Sequence, residues 1–340
     1  MISIAETKVP PAAAAPIRRE PIAWVLHDGK PGMRSQALGL AEATGFAAVE
    51  KPLSVRLPWR LLPPRLWLLA RHAVPTEAGL APPWPELVVA CGRNAALPAL
   101  LVRRASQGRT IAAQVQDPRI GRDEFDLMVV PEHDRLRGAR VIATLGAVHR
   151  VTPARLAEAA ARFPAFGGMP RPIVAVLIGG ANRAYRLSLP RLGQIADGLA
   201  ALLAETGGSA LVTPSRRTGE KGLALLRERL AGHSATIWDG TGDNPYFAYL
   251  AFADAILATA DSVSMVSEAA ATGKPVHILE LEGGDGKFAR FHEGLREAGI
   301  TRPFRGRLET WSYPIPDDTA RAGAALRALV LERLAAREPA

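Results

Sequence analysis

Residues 254–275 have the sequence DAILATADSVSMVSEAAATGKP, and this stretch decides the predicted fold. An apolar run ends at Thr259, and Asp261 is of a residue type that favours the N-cap of a helix. The helix-prone stretch that follows reaches Gly273, a C-cap residue type, and Pro275, which blocks continuation. The pattern predicts a strand, a tight turn and a short helix, which together form one unit of an α/β fold.

The turn inside this unit is a candidate anion site. A helix N-terminus offers free N–H groups and partial positive charge, so the hydroxyls of Ser262 and Ser264 could complete a cradle for phosphate. Glu268 shares a helix face with Ser264 and leans toward the same end, where its carboxylate could accept hydrogen bonds from a ribose diol. The alternative is an ordinary strand-helix unit in which the serines only cap the helix and Glu268 faces solvent.

The composition is that of a globular protein with two domains. The chain has 340 residues, of which 48% are hydrophobic and 22% charged. No stretch approaches about 18 consecutive apolar residues, so no transmembrane helix is predicted. Residues 1–20 are rich in proline and alanine and lack the apolar core of a secretory signal, which predicts a disordered tail.

Cysteine usage and net charge narrow the classes of partner. Cys91 is the only cysteine, which excludes an intramolecular disulfide and fits a reducing cytosol. No Cys/His cluster has zinc-ligand spacing, so no metal site is predicted. The net charge of +9 favours anionic partners, either phosphorylated small molecules, acidic lipid headgroups or nucleic acid. No basic run has interleaved aromatic residues, so nucleic-acid binding is not expected.

The chain opens with a strand, a Gly-rich loop and a helix. Residues 22–26 predict a buried strand, the loop HDGKPG covers 27–32, and residues 33–44 predict a helix. In an open α/β sheet, ligands bind beyond the carboxyl ends of the strands, where this loop would lie. His27 and Asp28 are therefore candidate general bases. The alternative is a turn in which Asp28 caps the helix and His27 has no chemical role.

Further strands are predicted at 87–90, 110–115, 125–130 and 141–144, each followed by a polar turn. Alternating strands and helices with short turns indicate a parallel, doubly wound sheet. Residues 53–75, which intervene, mix large apolar side chains with tryptophan and arginine. This composition suits an anionic membrane interface, and the alternative is a core helix whose arginines face water.

A second strand-helix series follows the Pro- and Gly-rich stretch 163–172, which places the domain boundary near Gly168. The predicted division is an N-terminal domain at 21–168, a C-terminal domain at 169–317 and a terminal helix at 318–340 that could pack on either domain. Gly179 and Gly180 follow the strand 173–178 but lack the full G-x-G-x-x-G, so a dinucleotide site is not supported.

Another turn in this half carries arginine. The strand 209–213 ends before the run SRRT (215–218), in which two hydroxyls flank Arg216 and Arg217 at the start of a predicted helix. Arginine forks match phosphate oxygens geometrically, and a purely structural arginine at a helix start would be slightly unfavourable. The sequence therefore predicts phosphate binding here.

Taken together, these motifs resemble the mitochondrial fission Elm family and its bacterial members over about residues 21–310. They are WVLHDGKPG (24–32) with Gln36, CGR (91–93), DPR (117–119), FD (125–126) with PEHD (131–134), LIGG (177–180), SRRT (215–218), NPY (244–246), DSVSMVSEA (261–269) and TGKP (272–275). Plant members are associated with recruiting a dynamin-type fission protein, and bacterial members are often labelled nucleoside-diphosphate-sugar epimerases.

The second half is also similar, more distantly, to GT-B glycosyltransferases such as the lipid-linked peptidoglycan N-acetylglucosaminyltransferase. The resemblance implies two Rossmann-like domains facing a cleft, with the nucleotide sugar on the C-terminal domain and Glu268 on the ribose. The implied donor-binding residues are Gly179, Gly180, Thr213, Ser215, Arg216, Asn244, Asp261, Ser262, Ser264, Met265, Glu268 and Lys287. The N-terminal rim would hold the acceptor and a catalytic base, His27 or Asp28. The implied acceptor-binding residues are Gly29, Lys30, Gly32, Gln36, Arg93, Asp117 and His133.

The leading functional prediction is a metal-independent glycosyltransferase with no tightly bound cofactor. It would use a nucleoside-diphosphate sugar as donor and a lipid-linked or cell-envelope hydroxyl as acceptor, in the cytoplasm or on the inner face of the cytoplasmic membrane. A second hypothesis is a non-catalytic adaptor recruited to a membrane. A third is a nicotinamide-dependent epimerase, which needs a Tyr-x-x-x-Lys pair. Its tyrosines all lack a lysine four residues on; they are Tyr185, Tyr246, Tyr249 and Tyr313.

Overall fold

The computed structural model describes residues 20–62, 66–67, 73 and 79–337. The predicted tail, apart from Glu20, lies outside the described residues, as does part of the 53–75 segment and the last part of the predicted terminal helix.

The first sheet has six parallel strands and confirms the predicted α/β class. Its strands are β1 (Ile22–His27), β2 (Ala47–Pro52), β3 (Leu87–Cys91), β4 (Ile111–Val115), β5 (Leu127–Pro131) and β6 (Val141–Thr144), in the spatial order β2-β1-β3-β4-β5-β6. The helices α1 (Pro31–Ala43) and α2 (Arg93–Ala105) follow β1 and β3. β3 and β4 are buried throughout, which explains their continuous apolar sequences. The strand order reverses between β1 and β3, so a crevice opens beyond their carboxyl ends.

The second sheet also has six parallel strands. They are β7 (Ile173–Ile178), β9 (Ser209–Pro214), β10 (Ala235–Ile237), β11 (Ala255–Thr259), β12 (Val276–Leu279) and β14 (Thr301–Pro303), in the order β10-β9-β7-β11-β12-β14; the short strands β8 (Tyr185–Arg186) and β13 (Glu282–Gly283) pair separately. The helices of this half are α4 (Leu189–Thr206), α5 (Gly219–Arg229), α6 (Tyr246–Phe252), α7 (Val263–Ala270) and α8 (Gly286–Glu297). Here the order reverses between β7 and β11, immediately before the Gly179 turn and α7.

Two helices define where the chain crosses between the halves. The last helix, α9 (Asp318–Ala335), packs on α1, and its Leu326 and Val330 are buried in the core of the first sheet. The helix α3 (Pro153–Arg162) packs instead on α6 of the second half, and Val151 belongs to the second core. The packing therefore places the first crossing between Val148 and Val151, earlier than Gly168. The Pro/Gly-rich stretch 163–172 joins two elements of one half, because turn residues mark chain reversals as readily as linkers.

The described part of the 53–75 segment has an exposed apolar surface. Leu57 is 67% exposed, Leu61 79% and Leu66 52%, whereas Leu53 and Trp67 are buried. None of the helices in the described part of the chain combines the length and apolarity needed to cross a membrane.

Candidate functional site

His27 ends β1 and has both ring nitrogens engaged. The backbone N–H of Gly29 donates to Nδ1 at 3.1 Å, and Nε2 lies 3.2 Å from a carboxylate oxygen of Glu50. Because Nδ1 accepts, the ring proton must lie on Nε2 and point to Glu50. The side chain is only 3% exposed. In this arrangement His27 orients the turn and has no free nitrogen for a substrate.

Asp28 is the carboxylate that the β1–β3 crevice presents. It forms an ion pair with Lys30, and Asn94 Nδ2 lies 3.4 Å from Oδ2. Gly29 has φ +76°, a left-handed conformation that favours glycine, and an added Cβ there would meet nothing within 4 Å. The Asp28 side chain is 15% exposed and that of His27 is 3% exposed, so Asp28 is the more accessible of the two candidate bases.

The other residues expected at the first rim are dispersed. Arg93 is exposed at the start of α2. Asp117 pairs with Arg122 at 2.7 Å. Burial alone would raise the pKa of Asp117, but the hydrogen bonds from Arg122 and from the Arg119 N–H outweigh burial, so the pKa is lowered. His133 is buried against Phe291 of α8, and burial lowers the pKa of His133 to about 4.

Gln36 lies where the two halves meet. It is 4% exposed, its Oε1 accepts from Gln116 Nε2 at 3.0 Å, and its Nε2 donates to Ser264 Oγ of α7 at 3.0 Å. Gln116 has φ +68°, an uncommon conformation for a residue other than glycine. Gln36, which was expected to bind the sugar acceptor, thus contacts Ser264, which was expected to bind the sugar donor. Gly32 lies nearby, since a Cβ added to it would sit 3.0 Å from Ser264 Oγ.

The turn at Gly179 and Gly180 is filled by a carboxylate of the protein itself. Gly179 N–H donates to the Thr259 hydroxyl at 2.8 Å, and Gly180 N–H donates to Asp261 Oδ2 at 3.1 Å. Thr259 in turn donates to Asp261 Oδ1 at 2.7 Å. The Asp261 side chain is 0% exposed and pairs with Arg217 at 2.7 Å. The Gly180 amide therefore already has an internal anion as its partner, and the Gly179 amide already has a hydroxyl.

The two arginines of the turn after β9 have different surroundings. Arg217 is the arginine that meets Asp261, and it also donates to the Gly180 carbonyl at 2.7 Å. Arg216 is exposed and has no hydrogen-bond or ion-pair partner among the described residues. Ser215 donates to the Gly179 carbonyl at 2.7 Å, so its hydroxyl holds the turn. Two adjacent arginines cannot be told apart from sequence, because their roles depend on which one faces the neighbouring strand.

The remaining residues expected to bind the sugar donor are spread over several elements. Thr213 is 5% exposed and its hydroxyl lacks a partner among the described residues. Asn244 accepts from the Tyr246 N–H at 3.0 Å at the start of α6, and Ser262 accepts from the Met265 N–H at 3.3 Å at the start of α7. Lys287 forms an ion pair with Asp134 of the first half at 2.5 Å.

Glu268 is a buried carboxylate held from two sides. Ser35 of α1 donates to Oε1 at 2.7 Å, and the Tyr246 hydroxyl donates to Oε2 at 2.7 Å. The residue is 6% exposed, and burial raises the pKa of Glu268 against the opposing effect of these hydrogen bonds. Ser35 and Tyr246 were not among the candidate site residues, and Arg217 entered only as part of the SRRT motif (215–218). Tyr246 is the last residue of the NPY motif, whereas Ser35 had no sequence signal.

The chain has two parallel α/β domains whose strand-order reversals face each other. It crosses to the second domain near residue 150, and its last helix returns to the first domain. These features together define the GT-B architecture. The chain belongs to the mitochondrial fission ELM1 family, whose profile matches residues 31–330. This confirms the family resemblance of the motifs.

The chain is 35% identical over 271 residues to mitochondrial fission protein ELM1 of Arabidopsis thaliana, covering 72% of this chain and 63% of that protein, which is less than two thirds of its length. It is 25% identical over 335 residues to an uncharacterized protein of Rickettsia prowazekii, covering 85% of this chain and 93% of that protein.

Among solved structures, the UDP-GlcNAc 2-epimerase of Methanocaldococcus jannaschii, in complex with UDP-GlcNAc and UDP, has a TM-score of 0.56 at 12% identity and covers 92% of this chain and 99% of its own. The Neisseria meningitidis enzyme bound to UDP-GlcNAc has a TM-score of 0.52 at 11% identity, covering 93% and 100%. At these identities the likeness shows a shared fold.

Proposed function

We propose that this protein is a nucleotide-sugar enzyme that transfers a sugar from a nucleoside-diphosphate sugar to a hydroxyl of a lipid-linked or cell-envelope acceptor. The observation that carries the proposal is Glu268, a buried carboxylate on the helix after the switch-point strand of the second domain. It faces the first domain, where the Ser35 hydroxyl donates to it in the structure and where a ribose diol would take the place of that hydroxyl. The net charge of +9 favours such an anionic ligand.

In the proposed reaction Asp28 acts as the general base. The acceptor hydroxyl gives its proton to the Asp28 carboxylate and its oxygen bonds to the anomeric carbon. The bond from that carbon to the diphosphate oxygen breaks, and the nucleoside diphosphate leaves with the electron pair. His27, whose ring nitrogens bond Gly29 and Glu50, keeps the turn that presents Asp28 in place.

The proposed diphosphate subsite is the N-terminus of α7 together with Arg216. The Gly179–Gly180 amides are already bonded to Thr259 and Asp261, so they support the subsite only by shaping the turn. Arg216 is exposed beside that turn and its guanidinium is available for an anion. Donors and partial positive charge aimed at the leaving oxygen stabilise the charge that develops there.

Epimerisation of a nucleotide sugar is the second candidate, because the fold is shared with UDP-GlcNAc 2-epimerases. The missing Tyr-x-x-x-Lys pair argues only against a nicotinamide-dependent epimerase. The adaptor hypothesis is favoured by membership of the ELM1 family. Both alternatives predict no sugar transfer to an acceptor, and the adaptor also predicts no nucleotide binding.

A thermal-shift screen with UDP-, GDP-, ADP-, TDP- and CMP-sugars tests the proposal. A ligand at about 100 times its Kd stabilises the native state by about 2.7 kcal/mol, so a selective rise in Tm identifies the donor. Asp28→Ala should then lower turnover with little change in donor affinity, and Glu268→Ala should weaken donor binding measured by calorimetry. No shift with any of the five sugars would contradict the proposal and favour the adaptor.

The acceptor class is proposed from the exposed leucines Leu57, Leu61 and Leu66, which suit a peripheral site on an anionic membrane. Co-sedimentation with phosphatidylglycerol vesicles should be lost in the double variant Leu57→Ser/Leu61→Ser. It should be kept in Leu189→Ser, which changes an exposed leucine on α4, outside this segment. Equal sedimentation of both variants would contradict a membrane role for this surface.

A further inference from the structure

The polar face of α7 is occupied by the first domain. Ser264 accepts from Gln36, Ser267 accepts from the Ala147 N–H at 2.9 Å, and Glu268 accepts from Ser35. These α7 residues lie at spacings of three and four, so they share one side of the helix. The helix on which the proposed donor site depends is therefore docked against α1.

The contact is close enough to exclude a ligand at this place. A Cβ added to Gly146 would lie 2.4 Å from Ser267 Oγ, and one added to Gly32 would lie 3.0 Å from Ser264 Oγ. Glu268 is 6% exposed. In the arrangement that the structure shows, a nucleoside cannot enter between α1 and α7.

The two hydroxyls on Glu268 are not equivalent. Tyr246 lies on α6, in the same domain as Glu268, and moves with it when the domains separate. Ser35 lies on α1 in the other domain, and its hydroxyl donates to the carboxylate as a ribose hydroxyl would. Separation of α1 from α7 would free Oε1 and leave Oε2 held by Tyr246.

We propose that Ser35 is an internal competitor for the donor site, which occupies the ribose position on Glu268 until the domains separate, while Tyr246 is a positioning residue that keeps the carboxylate aimed into the cleft. This inference rests on the proposed function, because it assumes that Glu268 binds a ribose. Only molecules in which α1 has moved away from α7 can then bind the sugar donor, so the apparent affinity is the intrinsic affinity multiplied by the fraction of such molecules. Gln36, which bonds Ser264, assists Ser35 in holding the closed arrangement.

Calorimetric titration with UDP tests the competition in the full-length protein. Ser35→Ala should bind UDP about tenfold more tightly than the unaltered protein, since a hydrogen bond to a charged group is lost only from the closed state. Ser35→Ala/Gln36→Ala should bind at least as tightly. Ser312→Ala, at an exposed serine away from the interface, is the matched control and should leave affinity unchanged.

Small-angle X-ray scattering supplies a readout that does not depend on nucleotide. Ser35→Ala/Gln36→Ala should have a larger radius of gyration than the unaltered protein and Ser312→Ala, because fewer bonds hold the domains together. Tyr246→Phe should weaken UDP binding about threefold or more without this expansion, since it disturbs only the carboxylate's orientation.

The failures are distinguishable. If UDP binds but Ser35→Ala binds no more tightly, the competition is overturned while the proposed function stands. If no nucleotide binds to any variant, the proposed function fails and the competition fails with it. An unchanged radius of gyration in the double variant overturns the claim that Ser35 and Gln36 hold the closed arrangement.

Discussion

The turns after β1 and β7 occupy matching places in the two sheets but have different environments. Each follows the first buried strand of its domain, contains glycine and lies at a switch point of its sheet. At the first turn the Asp28 carboxylate is 15% exposed and pairs with the exposed Lys30. At the second, the carboxylate of Asp261 is fully buried and takes up the Gly180 amide.

A Gly-containing turn can bind an external anion only if no neighbouring side chain already occupies it. Asp261, which fills the second turn, lies just after β11, the neighbour of β7 in the sheet, about eighty residues later in the chain. At the first turn the neighbouring strand is β3, and after it Asn94 at the start of α2 places an amide 3.4 Å from Asp28 Oδ2 instead of a carboxylate. The accessible chemistry of each turn is therefore decided by the strand beside it.

Replacing the two aspartates should give the largest contrast between the turns. Asp261→Ala removes the anion that pairs with Arg217 and the acceptor of the Thr259 hydroxyl and the Gly180 N–H, and should lower the free energy of unfolding by about 3 kcal/mol. Asp28→Ala removes an ion pair whose lysine is exposed and should change it by about 0.5 kcal/mol or less. Urea unfolding followed by circular dichroism measures both free energies. Equal losses would contradict the claim that the two carboxylates have different environments.

The glycines should give a smaller contrast. Gly179→Ala places a Cβ 2.3 Å from the Asp261 carboxylate oxygens and should cost about 2 to 3 kcal/mol through overpacking. Gly29→Ala meets no atom within 4 Å and should cost about 1 kcal/mol, because only its positive φ is strained.

A double-mutant cycle then identifies the cause. In an Asp261→Ala background the carboxylate that clashes is gone, so Gly179→Ala should cost clearly less than in the unaltered protein. If the two changes add without coupling, the filled turn is not what makes Gly179 necessary.

The smallest effect is a pH dependence of opposite sign at the two rims. Burial raises the pKa of Glu268, so the folded state binds its proton more tightly and loses this stability as pH rises above the ordinary value of 4.5. The pKa of Asp117 is lowered, because the bonds from Arg122 and the Arg119 N–H outweigh burial. That carboxylate therefore stabilises the fold above the ordinary value of 3.8 and less as pH falls through it.

Unfolding free energies measured between pH 3 and pH 7 check these signs. Relative to the unaltered protein, Glu268→Gln should gain stability as pH rises, and Asp117→Asn should lose stability as pH rises. The same sign for both variants would contradict the contrast between the rims.

Much of the fold could be predicted from the sequence because each central strand is buried on both faces. Such strands appear as continuous apolar runs, and the predicted bounds 173–178 agree with the fully buried strand β7. The edge strand β2 was missed, since its sequence AAVEKP is largely exposed and has no apolar run. β2 is a strand because its backbone pairs with β1, and its own sequence does not predict one.

The sequence by itself determined the two-domain α/β class, the family and the polar turns at the rims, because these depend on periodicity and on residues close together in the chain. Tertiary structure alone decided that Asp261 fills the second turn, that Arg217 meets it in place of Arg216, and that α9 returns to the first domain. It also decided that Ser35 bonds Glu268, a pair 233 residues apart. The reason is physical: whether a polar group is free or satisfied depends on neighbours that long-range packing supplies, and local sequence carries no record of them.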